Sequence, residues 1–448
     1  MTASPESLSH TLLDAAKKAG AEAADVLVIE GRSISIDVRE GKLEQAERSE
    51  GIDLGLRVLL GKRQAMVSSS DSRPETMAAM AERAVAMAKE APENPDIGLA
   101  TSEQLATDWD AAGLELADPG DEPAPASLQE QALAAEAATQ AVEGVTQVQS
   151  ASAGYSARSM HFAATNGFSG GYARTSHSLY SVAIAGEGAG MERDHDGDSR
   201  VFAADMRGAD EIGRIAGERA VAALGAKKPP TGTFPVLFDE RISSSLIGHL
   251  LGAVNGSAVA RGESFLRESL GEQVLPSSLS LLEEPHRKRM GSSRPFDAEG
   301  LATADRMIVK DGVLQGWTLD LATGRKLGME STANALRGTG SAPSPGTFNV
   351  ALTQGTQTRE ELLNEMGTGL LVTSMIGSTI NPNTGDYSRG ASGFWVENGE
   401  ITYPVNECTI AGNLRDMLLG LIPANDARTW LSRVVPSLLV EGLTLAGE

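Results

Sequence analysis

The feature that most constrains the fold is a pair of prolines halfway along the chain, Pro229 and Pro230, within residues 226–232. Proline lacks a backbone N–H and fixes φ, so neither a helix nor an inner strand continues through two of them. The 448 residues are enough for two or three domains. We therefore predict an N-terminal domain over residues 1–226 and a C-terminal domain over residues 233–448.

Helices and antiparallel hairpins alternate in the predicted N-terminal domain. Residues 33–39 alternate between polar and apolar side chains, which is the period of a half-buried strand. A strand pair is predicted within residues 54–68, and a helix begins near Pro74. Residues 145–201 again have strand character, and a helix is predicted at about residues 209–224. This half therefore has a mixed α/β pattern.

A long irregular segment interrupts this pattern at about residues 91–126. It is rich in Pro, Asp and Glu and has no periodicity, so it predicts a long surface connection. Ser127 and Glu130 then have the S-x-x-E spacing of a capping box. The spacing predicts an Ala-rich helix that begins there and ends at Gly144.

The predicted C-terminal domain is rich in strands. An apolar strand at residues 234–238 precedes one helix at about residues 240–254, and most of the remaining sequence has strand and turn character. Asp311-Gly312 and Asn398-Gly399 each lie between apolar segments, a strong indication of a two-residue hairpin turn. The whole chain is therefore predicted to be α+β, with a mixed first domain and a β-rich second domain.

Charge and composition limit the partners of the chain. Its net charge of −22 repels phosphate backbones, and no basic stripe offsets it, so direct nucleic-acid binding is disfavoured. The apolar runs are too short to span a bilayer, and the N-terminal residues do not resemble an export signal. The single cysteine, Cys408, excludes an intrachain disulfide and fits a reducing compartment. We therefore predict a cytoplasmic protein.

Few residues have the spacing of a catalytic site. Residues 167–171 match G-x-S-x-G around Ser169, but the strand character after them favours a hairpin loop over a nucleophile. No two of the six histidines have the spacing of a helical metal pair. His249 lies one helical turn after Ser245, so a Ser/His pair is geometrically allowed there. An independent peptidase that uses this pair or Cys408 therefore stays open.

Several longer motifs resemble the TldD/PmbA family in sequence and in order. They occupy residues 38–44, 55–58 and 191–194 in the first half and residues 294–300, 309–316, 385–388, 393–394, 396–401 and 409–413 in the second. The resemblance thus spans nearly the whole chain and implies the two-domain fold of that family.

The resemblance also implies that two types of chain in the family have different roles. TldD-type chains of the family carry an HExxxH helix and a C-terminal cysteine that together hold zinc, whereas PmbA/TldE chains lack them. An ungapped comparison places Ile247, Gly248 and Gly252 where the His, Glu and His would stand. A shifted register that uses His249 leaves Ser244 and Ser245 at the other two positions. The motif is absent in either register, and residues 424–440 also resemble the PmbA branch and lack the cysteine.

The implied function is that of the PmbA/TldE subunit of a heterodimeric TldD–TldE zinc metalloprotease. A TldD-type paralogue would supply the zinc, and this chain would bind no cofactor and be inactive by itself. Substrates implied by the family are unfolded or short peptides, including antidote proteins. The catalytic candidates are His249 and Ser245, and the candidates for substrate contact are Arg294, Asp297, Glu299, Asn381, Asp386 and Asn398.

The sequence leaves other interpretations open. Arg294 with Asp297 or Glu299 could form an internal ion pair, and Asn398 could serve only its turn. A regulatory protein that acts on gyrase or on toxin-antidote proteins is a second function, in line with the family's label of gyrase modulator. A homodimer is also open.

Overall fold

The structure, a computed structural model, describes residues 3–447. The first half contains α1 (Pro5–Lys18), β1 (Ala23–Arg39), β2 (Lys42–Leu60), β3 (Arg63–Ser69), α2 (Pro74–Glu90), α3 (Pro125–Gln140), β4 (Val145–Ala164), β5 (Ser169–Ala185), β6 (Glu192–Arg200) and α4 (Ala209–Ala222). The second half contains β7 (Gly232–Phe238), α5 (Glu240–Ala253), α6 (Gly256–Arg261), β8 (Leu281–Glu283), β9 (Arg306–Lys310), β10 (Val313–Leu314), α7 (Leu321–Leu327), β11 (Ala335–Leu336), β12 (Ser344–Pro345), β13 (Val350–Leu352), α8 (Arg359–Met366), β14 (Gly369–Ile380), β15 (Asp386–Glu397), β16 (Glu400–Asn413), α9 (Leu414–Leu419), β17 (Ile422–Pro423), β18 (Arg433–Val434) and β19 (Leu438–Ala446).

The first half is an antiparallel sheet with the strand order β3-β2-β1-β4-β5-β6. Even-numbered residues of β1 point to one face, where Val26 and Val28 pack with α1 and α2 and where Ile34 and Ile36 pack with α3. Side chains alternate along a strand, so the odd-numbered Leu27 lies on the opposite face. The helices therefore cover one face of the sheet.

The second half of the chain packs on the other face of the sheet. Leu27 shares an aromatic cluster there with Phe162, Phe168 and Phe296. Asp25 of β1 is fully buried and forms ion pairs with Arg57 of β2 and with Arg337 of the second half. This buried carboxylate, shared by one guanidinium group from each half, joins the two halves. Removing any one of the three charged groups would leave the remaining buried charges less compensated.

The irregular segment contacts the second half through its middle part, at residues 96–115. Its residues contain no strand and no α-helix between α2 and α3, as predicted. The guanidinium group of Arg325 donates hydrogen bonds to the carbonyls of Asp96, Gly98 and Leu99 at 3.0, 3.2 and 3.0 Å. The segment also buries several of its apolar side chains, which are Ile97, Ala100, Ala106, Leu114 and Leu116. It is therefore part of the contact between the halves as well as a connection.

The predicted capping box before α3 is wrong. The helix begins at Pro125, and its N-cap residue Ala124 makes no side-chain capping bond. Proline is favoured in the first turn of a helix because its missing N–H would have no partner there. Ser127 and Glu130 consequently lie inside the helix, which ends at Gln140 and not at Gly144.

The second half contains a closed barrel of five strands. Its order is β16-β15-β14-β7-β19, and β16 also pairs with β19, which closes the sheet on itself. Helix α5 adds Leu246, Ile247 and Leu250 to the same core. Both predicted hairpin turns are confirmed: φ is 49° and 80° at Asp311-Gly312, and 54° and 81° at Asn398-Gly399. A smaller sheet has the order β10-β9-β8-β13-β18.

The chain thus has the predicted α+β composition. Between residues 3 and 447, no helix combines the length and the apolar character that a bilayer span requires. The two-domain division at residues 226 and 233 stays a proposal; β7 begins at Gly232, directly after the two prolines.

Candidate functional site

Helix α5 is the element on which the resemblance places the zinc motif. Asp239 caps its first turn by accepting a hydrogen bond from the Arg241 N–H at 3.1 Å. In the ungapped register Ile247 is completely buried in the barrel core, and Gly248 and Gly252 have no side chain. None of these three positions offers a ligand atom. The register that uses His249 offers one imidazole and two serine hydroxyls, so α5 does not fit a zinc-hydrolase site.

His249 lies half-buried against the barrel. Its ring centroid is 5.8 Å from that of Tyr387, and its Nε2 atom is buried without a hydrogen-bond partner in the described structure. The Ser245 hydroxyl is also buried without a partner, so it makes no bond to the imidazole. Burial, together with the charge of Arg389, lowers the pKa of His249. The geometry therefore leaves His249 neutral and Ser245 without an activating base.

Cys408 is buried in β16, where its thiol donates a hydrogen bond to the Ala391 carbonyl at 3.2 Å. Burial raises the pKa of this thiol to about 11. Because the thiolate is the nucleophilic form, a thiol with this pKa is almost entirely unreactive near neutral pH. The cysteine is therefore placed as a core residue.

Arg294, Asp297 and Glu299 lie in one buried loop. Asp297 accepts hydrogen bonds from the N–H groups of Glu299, Leu301 and Ala335 at 2.9, 3.0 and 3.0 Å. Glu299 accepts one from a backbone N–H of α7 at 2.8 Å. The guanidinium group of Arg294 lies 4.9 Å from the centre of the Phe348 ring. These contacts hold the loop, and the two carboxylates are almost inaccessible to solvent.

The buried carboxylates perturb each other's ionisation. Desolvation raises the pKa of Asp297 to about 6, against its three backbone hydrogen bonds. Desolvation and the neighbouring Asp297 charge raise the pKa of Glu299 to about 8. Like charges that share a buried site oppose double ionisation. Glu299 therefore keeps its proton to a higher pH than an exposed glutamate does.

The three remaining candidates lie at the two ends of one hairpin. Asn381 and Asp386 are exposed in the turn between β14 and β15, where the Asp386 carboxylate accepts hydrogen bonds from Thr384 and Asn413 at 2.7 and 3.2 Å. Asn398 is exposed in the turn at the opposite end of β15, roughly 35 Å away for a strand of this length. Asp386 directly precedes Tyr387, whose ring packs against His249 of α5, whereas Asn398 lies at the opposite end of β15.

A cavity of about 830 Å³ opens between the halves near the start of α5. Its lining includes Asp194 and Arg219 from the first half and Arg241, Arg359, Ser374 and Ile376 from the second. The pairing of β14 with β7 ends beside this cavity, because the two strands pair only from Leu370 to Val372. Among the described residues no strand pairs with that edge of β14 beyond Val372. The sequence did not predict this edge, because pairing partners cannot be read from one strand.

Three family models match the chain in succession. They are described as PmbA/TldA metallopeptidase domain 1, central domain and C-terminal domain, and they match residues 24–88, 118–224 and 231–447. The metalloprotease PmbA of Escherichia coli O157:H7 is 36% identical over 95% of this chain and 93% of that protein. The chain belongs to the PmbA/TldD metallopeptidase family.

Other relatives and solved structures agree with this membership. The PmbA homologue of Haemophilus influenzae is 35% identical over 97% of this chain and 94% of that protein. A proposed modulator of DNA gyrase from Bacteroides thetaiotaomicron is 28% identical and covers 98% of each chain with a TM-score of 0.90. TldE from Thermococcus kodakarensis, at 20% identity, covers 98% of this chain and 100% of its own with a TM-score of 0.84 and shows the same fold.

Because the chain belongs to the PmbA/TldD family, the question is which of its side chains could bind a metal. A metallopeptidase requires a metal, yet α5 contributes a single imidazole. Within residues 3–447, the group of three potential ligands that does lie close together is Glu6, His10 and His161, in the first half. Glu6 and His10 are one helical turn apart, a spacing visible in the sequence, but a rule that considers only pairs of histidines does not detect it.

Proposed function

We propose that this chain is the PmbA/TldE-type subunit of a heterodimeric TldD–TldE zinc metalloprotease that cleaves unfolded or short peptides. A TldD-type paralogue supplies the catalytic zinc and the water-activating glutamate. The observation that carries the proposal is the composition of α5, where Ile247, Gly248 and Gly252 occupy the motif positions of a metallopeptidase family. This chain is inactive by itself, and the heterodimer is located in the cytoplasm.

The open edge of β14 supports a role in holding the peptide. Thr373, Ser374 and Ile376 line the cavity of about 830 Å³ just beyond the last β7 pairing at Val372, and the Ile376 side chain is 73% exposed. An extended peptide can add to such an edge through main-chain hydrogen bonds, whereas a folded chain cannot. A site of this kind selects unfolded segments without reading much of their sequence. The net charge of −22 favours protein over nucleic acid as the ligand.

The activity test combines the chain with its paralogue. We expect the two purified chains to form a stable complex that cleaves an unfolded peptide, and we expect each chain alone to be inactive. Chelation should abolish cleavage, and zinc should restore it. Cleavage by the isolated chain that survives chelation would refute the proposal. If a complex does not form and the mixture is inactive, the chain is a binding protein, as the gyrase-modulator description of its structural relatives suggests.

The peptide-binding step has its own variant. Ile376→Asp places a charge beside the β14 edge, and we expect the complex to lose at least tenfold in kcat/KM with little change in stability. The matched control is Leu43→Asp, which alters another exposed apolar residue, on β2, at 47% exposure. Equal effects of the two variants, or none from Ile376→Asp, would remove the β14 edge from the substrate site.

A further inference from the structure

Three potential metal ligands converge in the first half, far along the sequence from α5. Glu6 and His10 lie one turn apart on α1, and His161 is on β4. One ligand atom from each residue lies within 4.8 Å of the other two. Residues four apart on a helix share a face, so Glu6 and His10 both face the strand that carries His161.

The hydrogen bonds of Ser9 determine the tautomer of His161. The completely buried Ser9 hydroxyl donates to the Glu6 carbonyl at 2.8 Å and lies 2.7 Å from His161 Nδ1. A hydroxyl has one proton, so Nδ1 must carry the ring proton and donate it to Ser9. His161 Nε2 is then left with a free lone pair. Metal-ligating histidines are held in this way, with the second ring nitrogen donating to an oxygen.

Both imidazoles are directed at one point. The Nε2 atoms of His10 and His161 lie 3.2 and 3.3 Å from the hydroxyl of Ser169, the serine of the G-x-S-x-G sequence at the start of β5. A cavity of about 480 Å³ adjoins this point and is lined by Glu6, His161 and Ser169. Three side chains that can each offer a ligand atom to one metal ion therefore surround a single point.

We propose that Glu6, His10 and His161 bind one divalent transition-metal ion of the Zn²⁺ type, with the Ser169 hydroxyl or a water as the fourth ligand. Two imidazoles and one carboxylate suit zinc and its neighbours in the transition series, whereas magnesium and calcium prefer oxygen ligands alone. Ligand atoms around tetrahedral zinc are about 3.4 Å apart. Glu6 and His10 are exposed and can close the remaining gap by side-chain rotation.

The same atoms also allow a Ser169–His161 nucleophile, but the surroundings favour a metal. A nucleophile of this kind needs a third group that stabilises the imidazolium, and here that position is taken by the neutral hydroxyl of Ser9. The second imidazole, from His10, has no place in such a dyad. The proposal is independent of the peptidase function, because it concerns this chain alone and a site in its first half.

Metal binding is tested on the purified full chain after removal of metal by a chelator. We expect one equivalent of Zn²⁺ to bind in competition with a chromophoric chelator, and one equivalent of Co²⁺ to give the intense visible absorption of a four-coordinate site. Glu6→Gln and His10→Gln, both at exposed positions, should each weaken the affinity at least tenfold while the metal-free melting temperature stays unchanged. Zinc should raise the melting temperature of the wild type more than that of either variant.

The matched control is His195→Gln on β6, which removes an exposed imidazole that lies 3.7 Å from the carboxylate of Asp194. This variant should bind zinc with wild-type affinity. The proposal is overturned if binding is not saturable at one equivalent, if His195→Gln weakens it as much as His10→Gln does, or if the cobalt spectrum is that of a six-coordinate ion. Covalent labelling of Ser169 by a fluorophosphonate that needs no metal would replace the proposal with the nucleophile.

Discussion

His161, which is buried, and His249, which is half-buried, show how differently the two halves surround the same side chain. The Nδ1 atom of His161 is bonded to Ser9, and its Nε2 atom faces Ser169 together with a second imidazole. His249 has its Nε2 buried without a partner and packs against the Tyr387 ring. Burial lowers the pKa of both rings. Desolvation alone therefore does not define a functional site, since partners must also converge on the ring.

The largest expected effect comes from placing a donor on α5. Ile247→His should destabilise the chain by about 3 kcal/mol, because a fully buried aliphatic side chain gives way to a polar ring without partners. Urea unfolding measures the change. Ser244→His, on the more accessible side of the same helix, is the control and should cost less than about 1 kcal/mol. If Ile247→His is as stable as the wild type and binds zinc, α5 can carry a metal ligand after all, and the contrast drawn between the two halves is wrong.

The buried acids of the second half extend the comparison to carboxylates. Glu299 has a folded-state pKa of about 8, above the ordinary value of 4.5, so its contribution to stability is complete below pH 4.5 and is lost as the pH rises from there through about 8. Glu299→Gln cannot ionise and keeps an acceptor for the α7 backbone. We expect this variant to be more stable than the wild type by at least about 2 kcal/mol at pH 9 and nearly equal at pH 5.

The control for this prediction is Glu272→Gln, at an exposed acidic position in the same half. Thermal unfolding from pH 5 to pH 9 should show the same slope for this variant and the wild type. If Glu299→Gln is destabilised equally at both pH values, the carboxylate is ionised and bonded throughout, and the raised pKa is refuted.

A smaller effect is expected from the partner of His161. Ser9→Ala removes the acceptor of the Nδ1 proton and should destabilise the chain by about 1–2 kcal/mol, the usual effect of leaving a buried donor unsatisfied. Ser7→Ala, two residues earlier at an exposed position of α1, should change the free energy of unfolding by less than about 0.5 kcal/mol. Equal stabilities of these two variants would mean that Ser9 does not hold the ring.

The smallest effect is expected at His249. Its folded-state pKa is lowered, so the stability it allows is present above the unfolded value of about 6.5 and declines as the pH falls below it. His249→Leu should therefore lie within about 1 kcal/mol of the wild type at pH 7 and should be the more stable protein at pH 5. His195→Leu, at an exposed ring, should keep the wild-type pH slope. A loss above about 2 kcal/mol in His249→Leu would indicate a partner for the ring.

Local rules predicted the two hairpin turns and α5, where a single segment carries the information, but they missed the bounds of α3 and the short helices α6 to α9. The two-residue turns at Asp311-Gly312 and Asn398-Gly399 need positive φ at both positions, and Asp-Gly and Asn-Gly sequences supply it. The start of β2 was predicted too late, because Lys42–Asp53 projects beyond β3 with mostly exposed side chains on both faces. Such a segment has no alternating pattern to read.

The sites depended on contacts that no local pattern contains. His161 meets His10 across about 150 residues of sequence, and the burial of Asp297 and Glu299 results from packing against α7 and the first-half sheet. The absence of the zinc motif from α5 could be read directly, because it depends on adjacent residues of one helix. Convergence in space is the information that sequence reasoning from one chain could not supply.

The closed barrel also bears on how the chain emerges during synthesis. β7 lies midway along the chain, yet one of its two neighbours, β19, lies about 200 residues later, as in the pairing of Val236 with Val440. At roughly 5–20 residues per second, β7 waits about 10–40 s for that neighbour. Throughout this interval the barrel cannot close, and its unpaired strand edges are prone to aggregation. We expect ribosome-bound chains that end before β19 to be captured by a chaperone, whereas chains that include β19 should not be.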